Sequence, residues 1–301
     1  MLPFARVTIV GLGLIGSSIA RAVQATMPTV RLTGYDASAE VRERVRELGF
    51  VDDVADTAGT AVLDADLVIM CVPVGAMGAA AAEFADDLPA DAIVSDVGSC
   101  KASVLAELSE ALPKATIIPA HPVAGTENSG PDAGFATLFN GRWCIVTPPP
   151  GADPVAVERV TSFWKRLGAA VETMEPKHHD LVLAVTSHLP HLIAYTIVGT
   201  ASDMEEVTQS EVIKFSAGGF RDFTRIAASD PIMWRDVFLS NKDAVLEMLQ
   251  RFSEDLTALQ RAIRWGNGDA LLDLFTRTRA VRRSIIEQGQ DDAAPDFGRH
   301  H

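Results

Sequence analysis

The chain has 301 residues and 48% of them are hydrophobic, which excludes general disorder and is enough for a large core or two domains. Its formal net charge of −14 argues against a nucleic-acid-binding surface, because neutralising phosphates requires an excess of Lys and Arg. An anionic substrate would therefore need a local basic pocket.

The first predicted elements are a strand over residues 7–10 and a helix over residues 17–25, joined by a G-x-G-x-x-G motif. Gly11 would permit a tight turn, Gly13 a close approach of backbone to a pyrophosphate, and Gly16 close packing of the helix on the strand. The motif predicts a dinucleotide site. The residues expected to contact the dinucleotide here are Gly11, Gly13, Leu14, Ile15 and Gly16.

A second predicted strand, residues 30–35, ends at Asp36, about 20 residues after the last glycine, where an acid would hydrogen-bond the adenosine ribose. The alternative role for Asp36 is a helix cap, shared with Ser38. We favour the ribose contact because the strand, the glycines and the acid follow one another at the spacing of the motif. No arginine follows directly to receive a 2′-phosphate, so the motif favours NAD over NADP.

Further apolar runs alternate with helical patterns along residues 66–73, 93–97 and 116–119. Continuous runs of this kind are typical of strands buried on both faces of a parallel sheet. A strand over residues 143–147 and another near Ala170 would complete the domain. The alternation predicts a doubly wound α/β sheet.

Three loops follow the carboxyl ends of these strands, where ligands bind in such sheets. They contain Val72 with Pro73, then Ser99, then the segment that begins at His121. We expect them to converge above a nicotinamide ring, with Val72 and Pro73 against the cofactor. His121 is the best placed of seven histidines for a general base, because an imidazole titrates near pH 6.5. A loop-stabilising histidine is the alternative, and Ser99 is placed to bond His121 or a substrate hydroxyl.

Strand patterns end near Thr173, and the rest of the chain has helical periodicity. We therefore predict a dinucleotide-binding domain over residues 1–173, a helical substrate and dimerisation domain over 174–292, and a disordered tail over 293–301. The first helix, residues 176–201, should kink at Pro190.

The kink would turn Ser187, His188 and His191 toward the cofactor domain. His188 and His191 share a helix face, but no third ligand accompanies them, so we expect no metal site. The pair His178 and His179 is expected at the surface near the domain junction.

A basic, glycine-containing segment, residues 214–225, offers Arg225, whose guanidinium can bind a carboxylate bidentately. A structural ion pair with Asp222 is the alternative. Trp234 lies nine residues further on and would wall the pocket.

Two helices near the end of the chain have heptad-like apolar spacing. An intramolecular hairpin and a dimer seam explain this spacing equally well. The apolar positions are Val245, Leu249, Phe252, Leu256, Leu259 and Ile263, then Leu271, Leu274, Val281 and Ile285.

The three cysteines have no C-x-x-C spacing, and their odd number without a recognisable signal peptide fits a reducing cytoplasm. No apolar run reaches the ~18 residues that a membrane span requires. We expect a cytoplasmic protein that binds neither membrane nor nucleic acid. We assign the terminal pair His300 and His301 no function.

Five motifs occur together in this chain. In order they are Gly-Leu-Gly-Leu-Ile-Gly-Ser-Ser, Asp-Val-Gly-Ser-Cys-Lys, His-Pro-Val-Ala-Gly-Thr-Glu-Asn-Ser-Gly, Ser-His-Leu-Pro-His and Gly-Gly-Phe-Arg-Asp-Phe-Thr-Arg-Ile-Ala. With them the chain resembles the prephenate/arogenate (cyclohexadienyl) dehydrogenases of tyrosine biosynthesis. The resemblance implies an NAD-binding α/β Rossmann domain, then an all-α dimerisation domain that forms a homodimer, with active sites between the two.

The same resemblance implies roles for individual residues. His121 would draw off the proton of the substrate's ring hydroxyl, with Ser99 orienting both groups, and Arg225 would bind a substrate carboxylate. Hydride transfer to NAD and loss of carbon dioxide would follow, and the choice between prephenate and arogenate stays open. The remaining pocket residues would be Ser187, His188 and His191 in the lining and Thr126, Glu127 and Asp222 in a polar gate.

Two alternatives remain at this point. One is an NAD(P)-dependent β-hydroxyacid dehydrogenase, in which Lys101 would be the catalytic group. The other is a non-catalytic dimer that senses NAD.

Overall fold

The computed structural model describes residues 2–126, 128–204 and 218–287, in two compact units of residues 1–245 and 246–301. Three sequence-based predictions lie outside the described residues: the role of Glu127, the basic positions before Gly218, and the tail over 293–301. The division into domains at residue 173 stays a prediction, although the last strand ends there and helices follow.

Six parallel strands form the central sheet of the first unit. They are β1 (Arg6–Val10), β2 (Arg31–Tyr35), β3 (Asp53–Val54), β4 (Leu67–Met70), β5 (Ile93–Asp96) and β6 (Thr116–Ile117). Their order is β3-β2-β1-β4-β5-β6, and every neighbouring pair is parallel. This is the strand order of a doubly wound dinucleotide-binding fold, which confirms the predicted fold class.

Helices cover both faces of this sheet. They are α1 (Leu14–Thr26), α2 (Ala39–Leu48), α3 (Ala58–Val62), α4 (Met77–Ala82), α5 (Ala102–Ala111) and α6 (Pro154–Arg166). Leu67 and Ile69 of β4 belong to one apolar cluster, with α1, α2 and α6, while Val68 and Met70 belong to another, with α3, α4 and α5. Both faces of β4 are buried, because alternate side chains of a strand point to opposite faces.

A second sheet holds β7 (Ala120–Pro122), β8 (Trp143–Val146) and β9 (Ala170–Thr173), with β7 antiparallel to β8. The strands predicted over residues 143–147 and near Ala170 correspond to β8 and β9. His121 was predicted to lie on a loop, and this placement is wrong. His121 lies within the short strand β7, and the carbonyl of Pro119, just before that strand, accepts from the N–H of Thr147 at 2.9 Å.

Four helices follow β9: α7 (Pro176–Leu183), α8 (Leu189–Met204), α9 (Gly218–Thr224) and α10 (Pro231–Ser240). The single kinked helix predicted over residues 176–201 is instead two helices joined by a π-helical turn, Ala184–His188. The N–H of Leu189 bonds the carbonyl of Ala184, five residues back, and Pro190 has no N–H with which to restore α-helical spacing.

The stretch Pro176–Met204, 29 residues long, is apolar enough by length and composition alone to cross a membrane. The expectation that no apolar run reaches the length of a membrane span is wrong by this measure. Part of the stretch packs inside the protein: Leu183, Ala184 and His188 are buried. A core helix has the same composition, so this feature is weak evidence for a membrane span.

The second unit contains most of α11 (Lys242–Arg264) and all of α12 (Gly268–Glu287). Gly266, at a φ of +64°, lies in the turn that joins them. Both helices carry large apolar side chains that are more than half exposed. These include Leu256, Ile263, Leu272, Phe275 and Val281.

Candidate active site

The glycine motif has the geometry of a dinucleotide cradle. Gly11 has a φ of +96°, and a Cβ atom at Gly16 would lie 2.0 Å from the carbonyl oxygen of Gly11, so both positions require glycine. A Cβ atom at Gly13 would meet nothing within 4 Å. Helix α1 begins directly after Gly13, at Leu14, and no side chain caps it. The residues present therefore fit a pyrophosphate at this helix start.

The contrast between Gly13 and Gly16 gives a matched test of the cradle. Gly13→Ala should leave the free energy of unfolding within about 0.5 kcal/mol of the wild type, because the added methyl group meets no protein atom. It should still raise the Kd for NAD by about tenfold or more, because the methyl group occupies the space a pyrophosphate would take. Gly16→Ala should lower both stability and NAD affinity. Thermal unfolding and calorimetric titration measure the two quantities, and unchanged NAD affinity in Gly13→Ala would contradict the cradle.

Asp36 follows β2, and its carboxylate bonds the backbone of the glycine turn. One carboxylate oxygen accepts from the backbone N–H of Leu12 at 2.8 Å, and the other accepts from that of Ser38 at 2.9 Å. Ser38 is the residue that caps α2, by accepting from the N–H of Val41. The alternative of Asp36 as the cap is therefore not favoured, and its contact with a ribose stays a prediction.

Val72 borders the cradle. Its Cγ1 atom lies 3.1 Å from the position of a Cβ atom on Gly11, and Pro73 follows it as an exposed residue at the start of a 3₁₀ turn. The loop after β4 thus meets the glycine turn, as expected for the switch point between β1 and β4.

His121 is the first member of a hydrogen-bonded chain of three side chains. Its Nδ1 lies 2.9 Å from Nε2 of His179, and Nδ1 of His179 lies 2.9 Å from a carboxylate oxygen of Asp180. Asp180 also accepts from the backbone N–H groups of Lys101 and Ala102, at 2.7 and 2.9 Å, where α5 begins. Helix α5 therefore fixes the carboxylate, and the carboxylate fixes the two imidazoles.

These contacts determine which nitrogen of His121 can accept a proton. Asp180 accepts, so His179 carries its hydrogen on Nδ1 and accepts at Nε2, and His121 donates from Nδ1. Burial lowers the pKa of His121 well below its ordinary value, and burial also lowers that of His179. The positive charge of Lys101 lowers both further. His121 is consequently neutral, and Nε2 keeps its lone pair with no hydrogen-bond partner among the described residues, while the residue remains 8% exposed.

Lys101 is fully buried, and its ammonium group donates to the Asp96 carboxylate and, at 2.7 Å, to the carbonyl of Ala120. It ties the end of β5 to the strand that carries His121. A lysine held in this way is not free to exchange a proton with a substrate, so the alternative in which Lys101 is the catalytic group is not favoured.

Ser99 is half-buried in the loop between β5 and α5. No hydrogen bond joins it to His121 in the part of the chain that the structure describes. The partner of Nδ1 in His121 is His179, so any contact of Ser99 with His121 or a substrate would have to be made at Nε2 or through the substrate.

The π-helical turn and α10 form a second cluster. His191 stacks on Trp234 with ring centres 3.6 Å apart, and its Nδ1 bonds the carbonyl of the half-buried Ser187 at 2.9 Å. His188 is fully buried, and its Nδ1 lies 3.0 Å from the amide nitrogen of Asn241. Burial lowers the pKa of His188 to about 4 and also lowers that of His191. The predicted lining residues are therefore brought together with Trp234.

Arg225 is exposed and follows α9. Its positive charge contributes to the lowered pKa of His191, which places the guanidinium near that cluster. Within the described residues no ion pair joins Arg225 to Asp222, so the structural-pair alternative is not supported. Asp222 and Thr126 are exposed, and the hydroxyl of Thr126 accepts from the N–H of Asn128.

Three residues of these clusters were not predicted from the sequence: His179, Asp180 and Asn241. His179 was expected at the surface beside His178, but only His178 is exposed, whereas His179 is fully buried. The face of α7 that meets α5 and β7 decides between them, and no local pattern shows which face that is. Among the described residues no cluster of His, Cys, Asp and Glu could hold a metal ion.

The histidine is neutral and aligned as a proton acceptor, and Lys101 ties its strand to the end of β5 in the sheet that carries the dinucleotide cradle. This combination suits removal of a proton and a hydride from an alcohol. The fold and site thus define a dinucleotide-dependent dehydrogenase. Residues 19–173 match the family model of the prephenate dehydrogenase nucleotide-binding domain, and residues 175–277 match that of the prephenate dehydrogenase dimerization domain. The chain belongs to the prephenate dehydrogenase family, which confirms the resemblance.

Individual relatives agree with this membership. The chain is 46% identical over 285 residues to the cyclohexadienyl dehydrogenase of Zymomonas mobilis, across 95% of this chain and 97% of that one. It is 33% identical to the prephenate dehydrogenase of Aquifex aeolicus, solved with hydroxyphenyl propionate and NAD+, with a TM-score of 0.87 and coverage of 95% and 98%. The Synechocystis arogenate dehydrogenase is 25% identical, with a TM-score of 0.81 and coverage of 93% and 99%.

Proposed function

We propose that this enzyme catalyses the NAD-dependent oxidative decarboxylation of prephenate, arogenate or both. The products would be 4-hydroxyphenylpyruvate and tyrosine, respectively. The single observation that carries the chemistry is the chain from Asp180 through His179 to His121, because it leaves a lone pair on a neutral, buried imidazole. The names of the relatives supply the substrate class.

His121 is the general base of the proposed reaction. When bound, NAD accepts the hydride from the ring carbon that carries the hydroxyl group. His121 takes the hydroxyl proton at Nε2, and the resulting positive charge is stabilised through His179 by the Asp180 carboxylate. As the ring carboxylate leaves as carbon dioxide, its electron pair enters the ring. The oxygen then takes the proton back from His121, so a phenol forms and the base is regenerated.

The cradle residues would hold NAD. Gly13 leaves space for the pyrophosphate at the start of α1, and Asp36 ends β2 where the adenosine ribose would lie. Val72 and Pro73 would line the nicotinamide end. Ser99 would bond the substrate hydroxyl, since His179 already occupies Nδ1 of His121 and Nε2 is the atom that takes the proton.

Arg225 would bind a substrate carboxylate, since its guanidinium lies near His191 and has no ion-pair partner among the described residues. Arg225→Ala should raise the KM for the cyclohexadienyl acid by roughly tenfold to a hundredfold, because a charge-assisted hydrogen bond is lost. The kcat should change less. The matched control is Arg221→Ala, on exposed helix α9. Steady-state kinetics with varied acid and saturating NAD measure the effect, and an unchanged KM would remove Arg225 from this role.

The test of the function supplies prephenate and arogenate separately, each with NAD and with NADP. Reduced cofactor is followed by absorbance, and the aromatic product is identified by chromatography. We expect NAD reduction with at least one acid, together with 4-hydroxyphenylpyruvate or tyrosine as the product. Tight NAD binding with turnover of neither acid would instead favour the non-catalytic NAD sensor.

We also propose that the enzyme is a cytoplasmic homodimer that associates through its helical region. The match of residues 175–277 to a dimerization domain and the exposed apolar side chains of α11 and α12 support the dimer. The cysteines Cys71, Cys100 and Cys144 are free thiols, which fits a reducing compartment. The remaining roles are those predicted from the sequence. The cofactor is contacted by Pro73, and the substrate pocket includes Thr126, Ser187 and Trp234.

A further inference from the structure

Asn241 is a buried polar residue that the proposed mechanism does not use. It lies directly after α10, and its backbone N–H donates to the carbonyl of Val237 in the last turn of that helix. Its side-chain nitrogen donates to the backbone carbonyl of Asp180 at 2.8 Å and lies 3.0 Å from Nδ1 of His188. One amide therefore contacts both the residue that anchors the base and a histidine of the second cluster.

The chemistry of these contacts fixes the position of a proton. A backbone carbonyl can only accept, so the atom of Asn241 that faces Asp180 must be the NH₂ group. The same nitrogen has no lone pair to offer, so Nδ1 of His188 accepts its second hydrogen. A neutral His188 must then carry its own proton on Nε2.

The surroundings of His188 keep it neutral. Burial lowers its pKa to about 4, and the charges of His179 and His191 act in the same direction, while that of Asp180 opposes them. Above this value His188 is a neutral donor with a single N–H group. This donor lies in the Ser-His-Leu-Pro-His segment. The imidazole of His188 packs against the indole of Trp234, with ring centres 6.1 Å apart.

The Nε2–H group of His188 has no hydrogen-bond partner within the described chain, although it is buried. The indole N–H of Trp234 is buried and unpaired in the same way. A buried donor without an acceptor is unfavourable, so two such donors in one cluster indicate that an acceptor arrives with a ligand.

We propose that Asn241 is a positioning residue that holds His188 as the Nε2–H tautomer, so that His188 donates a hydrogen bond to an acceptor oxygen of the bound substrate. The identity of that substrate rests on the proposed function. Without the amide, His188 would distribute its proton over both nitrogens, and the donor would be present for only part of the molecules.

The direct test is the protonation of His188 itself, measured by ¹⁵N–¹H correlation spectra of the full-length enzyme labelled at histidine, near pH 7 and without substrate. His188→Gln assigns the signals. We expect the Nε2–H tautomer in the wild type. In Asn241→Asp the carboxylate accepts at Nδ1, so the His188 signals should move to the Nδ1–H tautomer or to the imidazolium. Asn267→Asp, in the exposed turn before α12, is the matched control and should leave them unchanged.

Kinetics test the consequence for binding. Asn241→Leu should raise the KM for the acid by about tenfold, because one neutral hydrogen bond to the substrate is weakened or lost. Asn241→Asp should do the same where its spectra show the Nδ1–H tautomer, whereas an imidazolium keeps the Nε2–H donor and should leave the KM near the wild-type value. NAD affinity should be retained. Asn241→Leu serves as the second variant because it places no charge against the Asp180 carbonyl. Retained NAD affinity in either variant shows that the chain is folded.

The outcomes separate this proposal from the proposed function. An Nδ1–H tautomer in the wild type would overturn the role of Asn241, as would unchanged His188 signals in Asn241→Asp. A changed tautomer with unchanged KM would overturn the substrate contact. Turnover of neither acid by the wild type would overturn the proposed function and hence the identity of the acceptor, while the spectra still decide what Asn241 does.

Discussion

His121→Asn should lower kcat by about 10²–10⁴-fold, the range for loss of a general base, and leave the Kd for NAD unchanged. Asparagine can still fill much of the space in β7 and donate to Nε2 of His179, but its amide cannot take up a proton. The loss should therefore appear in the chemical step. Single-turnover measurement of reduced cofactor, with calorimetric titration of NAD, separates the two effects.

The control for this variant is His178→Asn, which removes an exposed imidazole one residue before His179. It should leave kcat and NAD affinity near the wild-type values. If His121→Asn retained more than about a tenth of the wild-type kcat, His121 would be a structural residue of β7, and the proton would have to leave by another route.

The same assignment predicts a pH dependence. His121 accepts a proton only when neutral, and burial lowers its pKa well below the ordinary value. Because the pKa is lowered, the base stays competent as the pH falls through that ordinary value. The acid limb of kcat/KM should therefore lie below about pH 6.5.

The glycine turn could be predicted from the sequence, because its signals are local. Gly11, Gly13 and Gly16 follow one another at a fixed spacing, and the positive φ of Gly11 and the close approach at Gly16 both require glycine. The position of Asp36 could be predicted from the length of the unit formed by β1, α1 and β2. Neighbours along the chain define all four positions. The contacts of these residues and of Asp36 with NAD stay predictions.

The proton-accepting half depends on packing between distant segments. His121 could be recognised as a candidate base, but its partner His179 comes from α7, 58 residues later, and Asp180 is fixed by the first N–H groups of α5. Neither contact produces a periodic pattern in the sequence from which it could be predicted. The π-helical turn before Leu189 also depends on which backbone groups remain to be satisfied, and this is known only when the helices are in place.

The second large effect is expected for Asp180→Asn, which should lower kcat by about 10²-fold or more. An amide has one acceptor oxygen, whereas the carboxylate accepts from Lys101, Ala102 and His179. If the oxygen faces His179, the NH₂ group meets the N–H of Ala102. If the NH₂ group faces His179, that ring must carry its proton on Nε2, and His121 can no longer donate to it.

Either orientation also removes the negative charge that stabilises the protonated base. Asp180 raises the pKa of His179, and protonated His121 is stabilised through His179 by the same carboxylate. Loss of the carboxylate should therefore make His121 harder to protonate and move the acid limb of kcat/KM to lower pH while its plateau falls. A variant that only loosened the packing of α7 would lose stability and not shift the limb. Asp203→Asn, at an exposed position of α8, is the control.

A double-mutant cycle distinguishes action through His179 from a general loss of structure. In a His179→Gln background, Asp180→Asn should cost little further kcat, because the group through which the carboxylate acts is already gone. Full additivity of the two losses would show that Asp180 acts independently of His179. In that case the carboxylate would serve only to anchor α7 on α5, and His121 would need another group to fix its tautomer.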